Sequence, residues 1–210
     1  KRVKRHKVKI EYVATDLFVS FIASVLENCP GAVHVFDHFH VVKLMNDHLD
    51  DIRRKVYAME KDVNKRKVLK GTRYLLLGNG EDIFDQQHKT RLDNALAMNE
   101  PLSKAYYLKE QLREIWSQIS KEEAETVIDD WVKQARESKI PQLMRMAATL
   151  LAHRRGIQAW YDSRISTGKV EGINNKIKVM KRNAYGFRDD RYFTLRLYAL
   201  HDCRITRNVG

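Results

Sequence analysis

Apolar and polar positions along this chain first alternate, then cycle. Val8, Ile10 and Tyr12 are interleaved with Lys9 and Glu11, and Val13 and Ala14 carry the run to Asp16. A period of two predicts a strand ending at that aspartate. From Leu17 to Glu27 the spacing of Phe18, Phe21, Ile22 and Val25 changes to that of a helix, and Cys29-Pro30-Gly31 breaks it. Ala32 to Phe36 is a second short apolar run, closed by Asp37. Strand, helix and strand in so short a span form a βαβ unit, with parallel strands and a right-handed crossover.

Beyond Asp37 the helical period dominates. One charged amphipathic helix is expected from Val41 to about Val68, with Val42, Met45, Leu49, Ile52 and Val56 as its apolar stripe. Gly71 and Gly78-Asn79-Gly80 mark loops on either side of the apolar Tyr74-Leu75-Leu76-Leu77. Further helices are expected at about 89–98, 103–117, 121–137 and 140–161, with Pro101 and Pro141 near starts, where a missing N–H costs least. A loop at 164–168, a helix over 169–183, a break at Ala184-Tyr185-Gly186-Phe187 and a last helix over about 190–204 complete the chain. The fold class expected is α/β and predominantly helical: a small parallel βαβ piece with C-terminal helices, interrupted by a large all-α insertion.

Composition narrows the function. The 210 residues carry 39 Lys+Arg against 27 Asp+Glu, a net charge of +12 that favours a polyanionic partner, most often nucleic acid. No stretch approaches the ~18 consecutive apolar residues of a membrane span. The basic start (Lys1, Arg2, Lys4, Arg5) is followed by no apolar signal core, so a secretory signal is not expected. With only Cys29 and Cys203, neither a disulfide framework nor a cysteine zinc site carries the fold. A reducing, cytoplasmic compartment fits.

Three places carry candidate chemistry. Asp16 ends the first strand, where ligands of open parallel sheets bind. Its carboxylate suits a hard cation such as Mg²⁺, and equally suits capping of the helix that follows. Asp37 ends the second strand among His34, His38 and His40, which would share one face if the strand continued. No distant Cys or His pair completes a zinc set, so an ordinary strand end and helix entry is the competing reading. In the helix over 169–183, Val170, Ile173, Ile177 and Met180 share one face and are expected to be buried. The opposite face lines up Glu171, Asn175, Lys178 and Arg182, with Lys176 and Lys181 beside them. That row suits a metal-bound phosphate, or else a solvated face of paired charges. Gly172 and the paired Asn174 and Asn175 favour function, being poor choices for a merely structural helix.

Five segments, in order, closely resemble bacterial insertion-sequence transposases of the ISL-three family: Ala32-Val33-His34-Val35-Phe36-Asp37-His38-Phe39-His40-Val41-Val42-Lys43-Leu44-Met45-Asn46, Gly71-Thr72-Arg73-Tyr74-Leu75-Leu76-Leu77, Ala105-Tyr106-Tyr107-Leu108-Lys109, the run from Ile165 through Gly168-Lys169-Val170-Glu171-Gly172-Ile173-Asn174-Asn175-Lys176-Ile177 to Lys178, and Ala184-Tyr185-Gly186-Phe187-Arg188. The resemblance implies an RNase H-like core whose three acids bind two Mg²⁺ ions (Mn²⁺ as a substitute) for cleavage and strand transfer of DNA. By position Asp16 matches the second acid and Glu171 the third, and both are the implied metal ligands. Asp37 matches a strand-end aspartate taken as supporting, as is Asn175. Lys176, Lys178, Lys181 and Arg182 are the expected DNA contacts. The implied partners are double-stranded transposon ends and further copies of the parent protein, in the bacterial cytoplasm.

Two departures follow. The first acid belongs to a strand upstream of Lys1, so the chain reads as the C-terminal portion of a transposase. Its core would comprise 1–40 and 166–210, and its helical insertion 41–165. After the second acid the family has a small polar residue and then a tyrosine, whereas this chain reads Leu17-Phe18-Val19-Ser20-Phe21. The fragment alone is therefore expected to be inactive, with an inert, transposase-derived DNA-binding module as the alternative. Val8, Ile10 and Tyr12 would lie on a sheet edge lacking its neighbour.

Overall fold

The computed structural model describes residues 9–201. The basic segment before Lys9, Val8 and Cys203 lie outside the described residues, as does the end of the helix expected to reach 204. The chain divides between Ser166 and Thr167 into two compact units.

The first unit opens with the expected βαβ. Strand β1 (Tyr12–Thr15) and strand β2 (Val33–Phe36) are joined by helix α1 (Val19–Asn28). The strands pair in parallel, Tyr12 opposite Val33 and Thr15 opposite Phe36. Ile10 precedes the strand instead of belonging to it. Among the described residues the sheet has these two strands only.

Helices fill the rest of this unit. The long helix read over 41–68 is two, α2 (His38–Met59) and α3 (Val63–Lys70). The break has a capping cause: Asp62 accepts hydrogen bonds from the N–H groups of Asn64 and Lys65, which starts a new helix. Tyr74 to Leu77, the apolar stretch between the two glycine loops, lies in the short helix α4 (Arg73–Leu77). Then come α5 (Gln86–Ala97), α6 (Glu100–Arg113) and α7 (Lys121–Glu137). The helix expected over 140–161 is three: α8 (Pro141–Ala152), α9 (Arg154–Gln158) and α10 (Trp160–Ser163). Asn99 and Ser120 cap α6 and α7 by accepting from Leu102 N and Glu123 N.

The apolar stripe of α2 packs against α6 and α8, and α7 packs against α6 and α8. Val41, Met45, Leu49 and Ile52 of α2 are buried with Leu102, Leu108 and Leu112 of α6, Ile128 and Trp131 of α7, and Leu143, Met146 and Leu150 of α8. Phe36 of β2 belongs to the same core, which ties the strand to the helices. Two polar side chains staple it from within. Gln142 donates to Asp51 Oδ2 at 2.7 Å, joining α8 to α2 and holding the Asp51 carboxyl below its usual range. Lys109 is buried on α6. Its ammonium donates to the carbonyls of Leu76 (2.9 Å) and Gly78 (2.5 Å), pairs with Glu110 and lies 4.5 Å from the centre of the Tyr106 ring. These bonds satisfy the carbonyls at the end of α4, where no helical donor remains.

The described residues of the second unit form a pair of helices, α11 (Gly168–Asn183) and α12 (Asp190–Tyr198), followed by a short 3₁₀ turn. Asp189 caps α12, accepting from the N–H groups of Arg191 and Tyr192. A cleft of about 430 Å³ between the two helices has Val179, Met180 and Phe187 on its apolar wall and Lys176 and Arg196 at its sides. Among the described residues no helix of either unit is long and apolar enough to cross a membrane.

Candidate functional site

The parallel register sets the candidate group of the first unit. Thr15 and Phe36 are the last paired residues, so Asp16 and Asp37 stand side by side at the carboxyl ends of adjacent strands. The Asp37 N–H donates to Thr15 O at 3.0 Å and closes the ladder there.

The two aspartates are used differently. Asp16 is not the cap of α1. That helix starts at Val19, with Phe18 in the cap position and no side-chain bond from it. Asp16 Oδ1 instead accepts from Phe18 N at 3.0 Å, which turns the chain out of β1 and around into the helix. Its carboxylate is partly exposed, and among the described residues Oδ2 accepts no hydrogen bond. Asp37 is the one that caps: only 3% exposed, it accepts from Phe39 N at 3.0 Å at the start of α2 and lies 3.5 Å from His38 Nδ1. The histidine grouping dissolves for the same reason. The strand stops at Phe36, so His38 and His40 belong to a helix while His34 remains on β2. Among the described residues no three His, Cys, Asp or Glu side chains gather where they could share a metal ion.

A polar contact that the sequence did not reveal lies directly behind Asp16. Thr15 Oγ1 donates to Asp16 O at 2.8 Å and lies 2.6 Å from His34 Nε2. A hydroxyl has one proton. Since it goes to the carbonyl, His34 Nε2 must be the donor to Thr15, which fixes the neutral ring as its Nε2–H tautomer. The His34 ring stacks at a tilt on Phe36, and Phe36 meets His153 edge-on, with centroids 4.5 and 5.0 Å apart. Burial lowers the pKa of His34, helped by His153, and burial lowers that of His153 as well. Both rings therefore resist protonation in the folded chain. The unfolded state takes up protons first, so stability is complete above about pH 6.5 and is lost as pH falls from there through the lowered folded values. Denaturant unfolding at pH 7.5 and pH 5 is expected to show that loss, and His153→Gln is expected to reduce it. An unchanged midpoint across this range would refute the assignment.

A separate candidate group lies on α11, in the second unit. The helix runs unbroken from Gly168 to Asn183, so Glu171, Asn175, Lys178 and Arg182 do fall on one stripe. Asn175, Lys178 and Arg182 are exposed and Glu171 is half-buried, its N–H bonded to Thr167 O at 2.9 Å. Lys181 sits to the side with its ammonium 4.7 Å from the centre of the Phe193 ring, and Lys176 lines the cleft toward α12. The opposite, apolar face is not the buried one expected. Val170 is 60% exposed and Ile173 41%, while Ile177 and Met180 are half-buried. Amphipathic spacing fixes which residues share a face, and a helix in a two-helix unit has little to cover that face. Gly172 has open space around it: a Cβ there would meet nothing within 4 Å. Packing therefore does not explain a glycine inside this helix, where it costs about 1 kcal/mol relative to alanine.

These features sit in a chain whose sequence matches, over residues 1–197, a family model described as a transposase, of the DDE type found in ISL-three elements. The chain belongs to that family. Among curated relatives, it is 36% identical over 193 residues to the transposase for insertion sequence element IS1001 of Bordetella parapertussis, covering 91% of this chain and 47% of the relative. It is 32% identical over 203 residues to the transposase for insertion sequence element IS1557 of Mycobacterium tuberculosis, covering 86% of this chain and 45% of the relative. The chain thus spans about half the length of the curated relatives it matches. No solved structure matches it.

Proposed function

We propose that this chain is part of the catalytic region of a DDE-type insertion-sequence transposase and supplies two of its three acids, Asp16 and Glu171. The observation that carries this reading is the position of Asp16 in a chain of this family: at the carboxyl end of a parallel strand, partly exposed, with one carboxylate oxygen that accepts no hydrogen bond among the described residues. The proposal includes an RNase H-like core made of 1–40 and 166–210 with a helical insertion over 41–165.

The donor chemistry fits Mg²⁺ or Mn²⁺, since both candidate ligands are carboxylates and hard divalent ions take oxygen. Asp16 and Glu171 would hold the metal, with a third carboxylate from outside this chain. Bound there, the ions would activate the attacking oxygen and neutralise charge on the leaving oxygen of the phosphodiester. The protein's own part is positional. Phe18 N fixes one oxygen of Asp16, and Thr15 and His34 hold the backbone beneath it. Asp37 anchors α2 as its cap and holds the neighbouring strand end in place. Lys178 and Arg182 continue the Glu171 stripe as cations for the phosphates on either side of the one that reacts, and Asn175 offers its amide between Glu171 and Lys178. The open surface at Gly172 leaves room for the DNA backbone to approach Glu171. The partner is transposon-end duplex DNA, and the parent works as an oligomer.

Two experiments test this reading. With Mg²⁺ or Mn²⁺ and DNA carrying the element's ends, the 210-residue chain is expected not to nick, because one acid is missing. A longer chain including the upstream acidic strand is expected to nick, and to lose that activity in Asp16→Ala and in Glu171→Ala. Activity that survives both substitutions would sink the assignment, and loss only in Asp37→Ala would move the second acid to β2. Duplex binding by the 210-residue chain is expected to weaken steeply as salt rises, because each neutralised phosphate releases a counterion. Lys178→Ala with Arg182→Ala should weaken it more than replacing two lysines between Lys61 and Lys70. Salt-independent binding, or none at low salt, would contradict a DNA role. Salt-dependent binding combined with an inactive longer chain would favour the inert DNA-binding module.

A further inference from the structure

The turn between α11 and α12 holds an aromatic side chain in an unusual way. Tyr185 is fully exposed, yet its backbone is left-handed, with φ of 50°. A non-glycine residue pays roughly 1–2 kcal/mol for that conformation, and asparagine or glycine would occupy it more easily. The turn is nevertheless well fixed. Tyr185 N donates to Arg182 O at 3.1 Å, and Gly186 N donates to Lys181 O at 2.9 Å. Gly186 has φ of 98°, as the second residue of this helix stop requires. On the far side Phe187 is held between Tyr192 and Phe193, with centroids 6.0 and 5.1 Å away. Phe187 thus anchors the turn, while the ring two residues earlier projects into solvent. Lys181, Arg182 and Arg188, all exposed, lie within four residues of it along the chain. A large exposed aromatic ring, preorganised at some backbone cost and flanked in the sequence by cations, matches the elements that bind unpaired nucleotides: a π-face for a base and positive charge for its phosphates.

We propose that Tyr185 is a stacking post for an unpaired base of the DNA, seated where strands separate or a nucleotide leaves the duplex. This rests on the DNA-binding reading above and adds to it a specificity for single-stranded character. Arg182 and Arg188 take the phosphates flanking that base. Gly186 lets the chain turn back at once, so that nothing follows Tyr185 into the space the base occupies.

The test uses the 210-residue chain and two labelled oligonucleotide probes of the same paired sequence, one blunt and one with a short single-stranded overhang. Wild type is expected to favour the overhang probe. Tyr185→Ala should weaken binding to it by at least about fivefold, as loss of one stacked base does, with little change for the blunt duplex. Tyr185→Asn separates stacking from folding. Asparagine relieves the backbone strain, so its thermal melting should be no lower than wild type, yet overhang binding should fall as in Tyr185→Ala. Tyr185→Trp should retain it. Equal loss on both probes, or no loss on either, overturns the proposal. Salt-dependent blunt-duplex binding with no effect at Tyr185 overturns the stacking post alone, whereas absence of binding to either probe at low salt overturns the DNA reading with it. A sedimentation shift on Tyr185→Asn without DNA would show that the ring covers a second copy of the chain, and would also refute the proposal.

Discussion

Replacing Trp131 with alanine is expected to remove about 3–5 kcal/mol of the stability of the first unit, the range found when a large aromatic side chain is deleted from a packed core. Trp131 is wholly buried in the middle of α7, among Ala124, Ile128, Val132 and Ala135 of its own helix. Its indole N–H donates to Leu108 O of α6 at 2.6 Å, so one side chain both fills the space between two helices and bonds across it. Alanine leaves a cavity that the surrounding helices, fixed by their other contacts, close only in part. Trp131→Phe keeps most of the apolar contact and loses the hydrogen bond, so a smaller loss, about 1–2 kcal/mol, is expected. Denaturant unfolding followed by circular dichroism reads both variants without relying on tryptophan emission. A loss below about 1 kcal/mol for the alanine variant would mean that α7 does not pack as described.

Much of this architecture is legible in the sequence, and the failures have identifiable causes. The alternation ending at Asp16, the break at Pro30-Gly31 and the run ending at Phe36 lead directly to the parallel pair β1 and β2. The helix at 121–137 was legible to the residue because a serine cap opens it and its apolar stripe is continuous. The helix expected over 41–68 is interrupted because Asp62 caps a second one, a signal that sits in the sequence but competes with an unbroken apolar stripe. The helix expected over 140–161 breaks at His153, shortly before the glycine through which α9 approaches β2. At the site, the strand-end position of Asp16 follows from the hydrophobic pattern alone. Its neighbour Asp37, and the Thr15–His34 bond beneath it, depend on strand register, which periodicity does not specify. Glu171, Asn175, Lys178 and Arg182 form one stripe because 3.6-residue geometry guarantees it within a continuous helix. The exposure of Val170 and Ile173 did not follow, because a pattern identifies a face and not what covers it.

Gly156→Ala is expected to destabilise the first unit by about 2–3 kcal/mol, although an alanine inside a helix would ordinarily stabilise it by up to about 1 kcal/mol. The sign is decided by space. A Cβ on Gly156 would lie 2.4 and 2.6 Å from two carbons of the Phe36 ring and 3.1 Å from His34 O, so both a ring and a strand backbone are in its way. The ring has little freedom to yield. It is 5% exposed, part of the main core, and held between the rings of His34 and His153. Relief must come from moving α9 away from β2 or from shifting the strand, and Phe36 is the residue directly before Asp37. The damage should therefore reach the site. In a longer, nicking-competent chain, Gly156→Ala is expected to lower nicking even at temperatures where the protein remains folded, because the strand end beside Asp16 is displaced. Phe36→Leu supplies the control. Alone it costs stability by shrinking a buried ring, but in the Gly156→Ala background it makes room for the new methyl. The two changes together should then cost less than their sum by at least about 1 kcal/mol, the coupling expected of side chains in direct contact. Strict additivity, or an alanine variant more stable than wild type, would show that α9 and β2 are not in the close contact from which the prediction is drawn.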